Sequence, residues 1–273
     1  MFVILNIAQS GKRKIRRGKT VKNVRDVFTG SGERFYIVDV YDSEKGVNWD
    51  EVSYFIGKHS KNVLMTRSFD FPEFSPVKRF EPKRFVNVLL LNTVEIILRE
   101  MYLSGVRVRC IVNDSDGICA SGLSKIARFS AQTTVITKNE FRYFAEIKNI
   151  YSQFGAGITV TEKTVQADEK TFIIDLSGDF EYTGTGYLFS ADRQIIPFAV
   201  DGFQYLKSLC PQEINQIDFL GAVYEFNHDK SLEDAFCRSF LYNDEKRTVT
   251  DLICEIEENL SGCERNKNII FYV

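Results

Sequence analysis

The chain has 273 residues, 44% of them hydrophobic, with 35 Lys and Arg against 37 Asp and Glu for a formal net charge of −2. A chain of this length buries a sizeable core without staples, and its balanced charge supplies no basic field for nucleic acid or an anionic membrane. Two histidines exclude a multi-histidine metal centre, and six cysteines with no C-x-x-C pair read as reduced thiols, several of them acting as small hydrophobes in apolar runs such as "VRCIV" (Cys110) and "LICEI" (Cys254).

From the N-terminus, "FVIL" reads as a short strand whose apolar run is too brief for a secretion signal. The cations that follow, Lys12, Arg13, Lys14, Arg16, Arg17, Lys19, Lys22 and Arg25, have no interleaved aromatics. They read as a solvated or edge-protecting face, and the sequence argues against nucleic acid as a partner. "GSGERFY" is a turn before a strong strand at Arg34–Asp42, followed by a short helix over Asn48–Ser60 and a strand over Asn62–Phe69. His59 ends that helix, where a cation suits the macrodipole. After a Pro-bearing link comes a long helix with Pro82 in its first turn. Its face is Phe85, Val88, Leu89, Ile96, Ile97, Met101 and Tyr102, broadened by Leu89–Leu91, and Gly105 is its stop.

The middle of the chain alternates cleanly. "VRVRCIVN" is a buried-type strand, "ASGLSKIARFSA" a helix and "TTVIT" a second strand. Thr137 and Glu140 have the spacing of a capping box, and the helix after it is expected to bury Phe141, Phe144, Ile147, Ile150, Tyr151 and Phe154 before Gly155. "GITVTE" and "TFIIDLSG" are further strands. Apolar strands alternating with helices imply a parallel sheet covered on both faces.

From Glu181 the period changes. "GYLFSADRQIIPFAV" reads as a hairpin or irregular pair, and a helix starts at Pro211. "SLEDAFCRSFLY" and "TVTDLICEIEENLSG" look like capped helices, with Ser231…Asp234 and Thr248…Asp251, and "NIIFYV" adds a strand. No stretch approaches the roughly 20 apolar residues that span a bilayer. The expected architecture is a cytoplasmic α/β protein in three segments. Residues 1–105 form a small α/β segment ending in the long helix, 106–180 a central parallel unit, and 181–273 a mainly helical segment.

Ligands of open parallel sheets bind outside the carboxyl ends of the strands. Here those ends carry Asn113–Gly117, Thr137–Asn139, Thr161–Lys163 and Asp175–Asp179. The order strand, helix, strand, helix, strand, short link "KTVQADEK", strand over Val106–Gly178 resembles Rossmann-like dinucleotide-binding domains of the shikimate-dehydrogenase type. That resemblance implies a cofactor edge at Gly117, Gly122, Thr137, Lys138, Asn139 and Ser177, and Lys138 leans towards the 2′-phosphate of NADP. The glycine fingerprint is absent: "NDSDGICASG" stands in its place, with Asp114 and Asp116 where phosphates would lie.

"CIVNDSDGIC" also resembles the first motif of haloacid-dehalogenase-like phosphatases. It implies Asp114 as nucleophile and Asp116 as proton carrier with Mg²⁺, Thr137 and Lys163 in supporting roles, and Asp175 and Asp179 as the acidic pair. The plainer reading is that Asp114–Gly117 is an acidic helix start on a ligand-facing edge. The sequence thus favours a binding or regulatory protein on a degenerate Rossmann-like scaffold, with a small molecule or a protein as partner. An atypical NADP-dependent oxidoreductase and a Mg²⁺-dependent phosphatase are the alternatives.

Overall fold

The computed structural model describes residues 1–9, 20–29, 32–42, 46–66, 69, 72–178, 184–190, 200, 202–242, 245–260 and 269–272. They pack as two compact units. The first joins Met1–Phe85 to Phe203–Glu233, and the second joins Val86–Gly202 to Asp234–Val273.

The first unit is built on a four-stranded sheet of β1 (Phe2–Gln9), β2 (Val21–Phe28), β3 (Arg34–Asp42) and β4 (Val63–Leu64), in the order β2-β3-β1-β4. β3 and β4 flank β1 in parallel, and β2 folds back antiparallel on β3. The turn between β2 and β3 is tied by Thr29 N–H to Glu33 O (3.0 Å), with Gly32 at φ +100, a backbone conformation that glycine adopts without strain. One face of the sheet buries Val3, Leu5, Val38 and Val40 with Val52 and Ile56 of α1 (Trp49–Ile56). At the other, Phe2 stacks on Phe35 (5.2 Å), and both meet Phe219 edge-on.

Several local expectations change here. The strand expected over Asn62–Phe69 pairs only at Val63–Leu64, because Val63 then bridges Arg79 and its carbonyl accepts from Phe80 N–H (2.8 Å). His59 ends a 3₁₀ turn, but burial, Lys58 and the chain's own N-terminal ammonium hold its pKa below the ordinary value, so it is not the cation that the helix end suggested. Lys12, Arg13, Lys14, Arg16, Arg17 and Lys19 lie outside the described residues.

The long helix α2 (Lys83–Leu103) starts in the first unit, where the Glu225 carboxylate accepts Arg84 N–H (3.2 Å). It stops where Val106 N–H bonds Met101 O (2.9 Å) around Gly105 at φ +84, the hydrogen bond of a Schellman end. Within the second unit Val86, Leu89, Leu90, Leu91, Val94, Ile97, Leu98 and Met101 are all buried, so this helix is covered on more than one side. Tyr102, expected on the buried face, is 38% exposed and packs edge-on against Phe129.

The second unit holds β5 (Arg109–Asn113), α3 (Leu123–Ala127), β6 (Gln132–Ile136), α4 (Phe144–Phe154), β7 (Ile158–Thr161), β8 (Thr171–Asp175) and β9 (Tyr187–Ser190). Towards the C-terminus it adds β10 (Ser239–Tyr242), β11 (Glu245–Thr248), α7 (Val249–Leu260) and β12 (Ile269–Tyr272), while α5 (Gln204–Leu209) and α6 (Gln216–Ala222) belong to the first unit. The sheet order is β11-β10-β12-β9-β8-β5-β6-β7. From β7 to β12 every neighbouring pair is parallel. Numbered from β5, those strands run 3-2-1-4-5-6, the doubly wound order of the Rossmann fold, with the switch point between β5 and β8. The fold is therefore α/β with a Rossmann-like central unit. No described helix is long and apolar enough to cross a membrane.

The C-terminal stretch contributes short strands as well as helices. β9 pairs in parallel with β8, and no hairpin forms among the described residues there. The helix expected from Ser231 is only a 3₁₀ turn, Lys230–Asp234, because the chain beyond it is held extended: Asn92 Nδ2–H reaches Ala235 O (2.6 Å) and Cys237 N–H reaches Thr93 Oγ1 (2.9 Å). α6 begins at Gln216 rather than at Pro211, with Asn215 as its cap. Thr248 and Asp251 do form a reciprocal cap at the start of α7: Asp251 N–H donates to Thr248 Oγ1 (3.1 Å), and Thr248 N–H to Asp251 Oδ2 (3.0 Å). The cysteines divide. Burial pushes Cys110 up and Cys237 to about 12, whereas Cys254 is exposed and is no core hydrophobe.

Candidate functional site

The carboxyl ends of β5 and β8 meet at the switch point. Their last residues, Asn113 and Asp175, are register partners, and Asn113 Nδ2–H donates to Asp175 Oδ1 (2.8 Å). The same oxygen accepts from Gly178 N–H (3.0 Å) and Ser177 N–H (3.3 Å), which folds the loop after β8 over its own strand end. One step further out, Ser115 N–H donates to Ser177 Oγ (2.8 Å). In doubly wound folds the loops after these two strands part to leave a crevice. Here side chains lace them together.

On the other flank, Asp114 is buried and both oxygens of its carboxylate are hydrogen-bonded. Oδ1 accepts Ile118 N–H (3.0 Å), while Oδ2 accepts Cys119 N–H (2.8 Å) and the Tyr143 hydroxyl (2.5 Å). This is the work of an acid at a helix start, satisfying N–H groups ahead of the 3₁₀ turn Ala120–Gly122 and α3. Burial, then the hydrogen bond to the Asp114 carboxylate, pushes the Tyr143 phenol far above its ordinary value, so it stays protonated and donating. Asp116 is exposed, and its carbonyl accepts from Asn139 Nδ2–H (3.2 Å).

Gly117 closes the turn, donating its N–H to Asp114 O (3.0 Å) at φ +64. In a dinucleotide site, such a glycine leaves room for a pyrophosphate. A Cβ built on Gly117 would instead stand 3.1 Å from Arg142 Cδ and 3.2 Å from Asn139 Cβ, so the protein's own side chains fill that room. Gly122 faces inward: its Cβ would stand 2.7 Å from Leu91 Cδ1 of α2, which makes it a packing glycine.

Thr137 is buried and does not cap a helix with Glu140. Its hydroxyl accepts Asn139 N–H (3.1 Å) and donates to Ser115 O (3.4 Å), tying the loop after β6 to the loop after β5. Lys138 is exposed at the same edge, with its N–H on Ser115 O (3.3 Å). Lys163 is exposed after β7, two strands from β5, and Asp179 lies outside the described residues.

The structure thus brings together Asp114, Asp116, Gly117, Thr137, Asn139 and Ser177, and turns Gly122 away. Sequence reasoning missed Tyr143 and Arg142. The available signal was a tyrosine among phenylalanines at helical spacing, since a buried phenol needs an acceptor. Both oxygens of Asp114 are already hydrogen-bonded, and no three Asp, Glu, His or Cys side chains converge among the described residues, which leave out Asp179. Arg142 and Asn139 stand over Gly117, where a pyrophosphate would lie in a dinucleotide site.

In the first unit, Lys22 and Arg25 line an open cavity of about 450 Å³ on the sheet face with Asn6, Asn23, Asp39, Val40 and Tyr41. Arg25 pairs with Asp39 (3.2 Å), and Lys22 Nζ lies 5.1 Å from the Tyr41 ring centre. Both cations are exposed.

No protein-family model matches the sequence, and curated proteins give no match to it. Among solved structures, the chain is similar to the L-tryptophan dehydrogenase from Nostoc punctiforme, with 11% identity and a TM-score of 0.30 over 74% of this chain. The match spans 64% of that enzyme's length, just under two thirds.

Proposed function

We propose that the chain is a cytosolic binding or regulatory protein on a Rossmann-like scaffold that has given up the dinucleotide crevice. The observation carrying this reading is the lacing of the switch point by Asn113–Asp175 and Ser115–Ser177. A ligand seated there would have to break those bonds and displace Asn139 and Arg142 from above Gly117. On this reading Asp114 and Asp116 shape the loop and carry no chemistry, and recognition uses the outer surface of the edge.

A second reading, an NADP-dependent oxidoreductase of the shikimate-dehydrogenase type, draws support from two cations. Lys138 is exposed after β6, where a cation would suit a 2′-phosphate, and Arg142 stands against Gly117, where a cation would suit the pyrophosphate.

A thermal-shift series separates the two. A ligand at about 100 times its Kd stabilises the native state by about 2.7 kcal/mol. The first reading expects no shift with NADP(H), NAD(H), or Mg²⁺ with a phosphate mimic. An NADP(H) shift that Lys138→Ala and Arg142→Ala abolish would install the second reading. A Mg²⁺/phosphate-mimic shift lost in Asp114→Asn would overturn both.

A further inference from the structure

The outer face of α4 is apolar. Phe144 is 62% exposed and Tyr151 68%; Phe141, in the turn Glu140–Arg142 just before the helix, is 68% exposed, and Phe154, its last residue, 44%. The helix instead buries its Ile150 side, and Tyr143, just ahead of the helix, is buried as well. Phe144 and Tyr151 are two turns apart on nearly one line of the helix surface. The four positions are also symmetric. Phe144 and Tyr151 lie equally far on either side of the Ile147–Lys148 peptide, and so do Phe141 and Phe154.

We propose that this face docks a second copy of the same chain, as an antiparallel two-fold pair of α4 helices. A two-fold interface must be self-complementary, with each residue's partner meeting that residue in return. A pair centred on the Ile147–Lys148 peptide meets this condition: Phe144 lies against the partner's Tyr151, and Phe141 against the partner's Phe154.

Area and charge agree. With about 150–250 Å² per whole aromatic side chain, the exposed parts of these four amount to about 500 Å² per copy. Fully covered, they would bury about 1,000 Å² in the pair, the least a biological interface must clear, and exposed Ala145 and Ser152 add to it. Lys148 is the single charged residue at an exposed position of α4, with exposed Glu140 and Arg142 flanking Phe141 at the rim, and depletion of charge marks the core of an interface. Its stem can lie along the partner's Ile147 with the ammonium in water. The proposal is independent of what the sheet edge binds.

The test is the mass of the full chain in solution, by light scattering and sedimentation over a dilution series of about 1–100 µM, a range that reaches micromolar association. The wild type is expected to be dimeric. Phe144→Glu and Tyr151→Glu, two halves of one contact, should weaken the dimer equally, by about 30-fold or more, with circular dichroism unchanged. Phe55→Glu, at a half-exposed aromatic of α1, should leave it intact. The double variant Phe144→Glu/Tyr151→Lys should restore association, because the antiparallel register sets opposite charges face to face. A monomeric wild type, a dimer that survives both single variants, or one lost equally in Phe55→Glu would overturn the proposal. Failure of the double variant to restore a dimer lost in the single ones would overturn the register.

Discussion

The switch-point edge and the outer face of α4 are neighbours in sequence and opposites in chemistry. At the edge, buried polar groups are paired, Asp114 with three donors and Asn113 with Asp175, and Ser115 and Ser177 join further out at the surface. On α4 and the turn before it, four aromatic side chains stay in water. A buried polar group must find a partner inside the protein or lose several kcal/mol. Exposed apolar area costs nothing so specific, and it is what association uses. The difference teaches that neighbouring parts of one α/β unit can settle oppositely, the strand-end loops bonded to one another and the helix face beside them left apolar and exposed.

The largest effect that would break this contrast is at Asp114. Asp114→Ala leaves two backbone N–H groups and a buried phenol without their acceptor, and should cost about 3–5 kcal/mol in urea unfolding. A cost under about 1 kcal/mol would return the carboxylate to chemistry. Gly117→Ala comes next, at about 1–3 kcal/mol, because it combines positive φ with the Arg142 and Asn139 contacts. An unchanged midpoint would show that the space above Gly117 opens readily enough for a ligand.

Tyr143 sharpens the comparison through pH. Its folded-state pKa is raised, by burial first and then by the Asp114 hydrogen bond. Its contribution is therefore complete below the ordinary phenol value of about 10 and is lost as pH rises beyond that towards the folded value. Between pH 8 and 11 the wild type should lose more stability than Tyr143→Phe. Parallel pH profiles would mean that the phenol is not locked onto the carboxylate.

Ser177→Ala should cost about 1 kcal/mol, one hydrogen bond, and should raise amide exchange at Ser115. The smallest effect is expected at Phe144→Ser, within about 0.5 kcal/mol at concentrations where chains do not associate. A larger loss would mean that the α4 face is already covered.

Much of the fold could be read directly. β3 matches its apolar run, Gly105 stops α2, and Thr248 with Asp251 starts α7, because each depends on residues a few positions apart. At the edge the nominated loops do converge, since strand ends are set by the same local pattern. Which side chains meet was not legible. Asp114 finds Tyr143 across 29 positions, and Asn113 finds Asp175 across 62. For α4 the period gave the helix and the burial of Ile150, but Phe141, Phe144, Tyr151 and Phe154, expected inside, are exposed. Only tertiary packing could choose Tyr143 and Ile150 for burial over the other aromatic and apolar positions.

By itself the sequence determined an α/β chain with parallel strands, their approximate limits, and an acidic turn after β5. These follow from periodicity and capping, which act within a few residues. Tertiary structure alone decided the strand order, the return of Phe203–Glu233 to the first unit, the closing of the switch point and the exposure of the aromatic stripe. Each is a choice among long-range pairings that a local pattern permits equally, made by the packing that leaves the fewest buried polar groups unpaired.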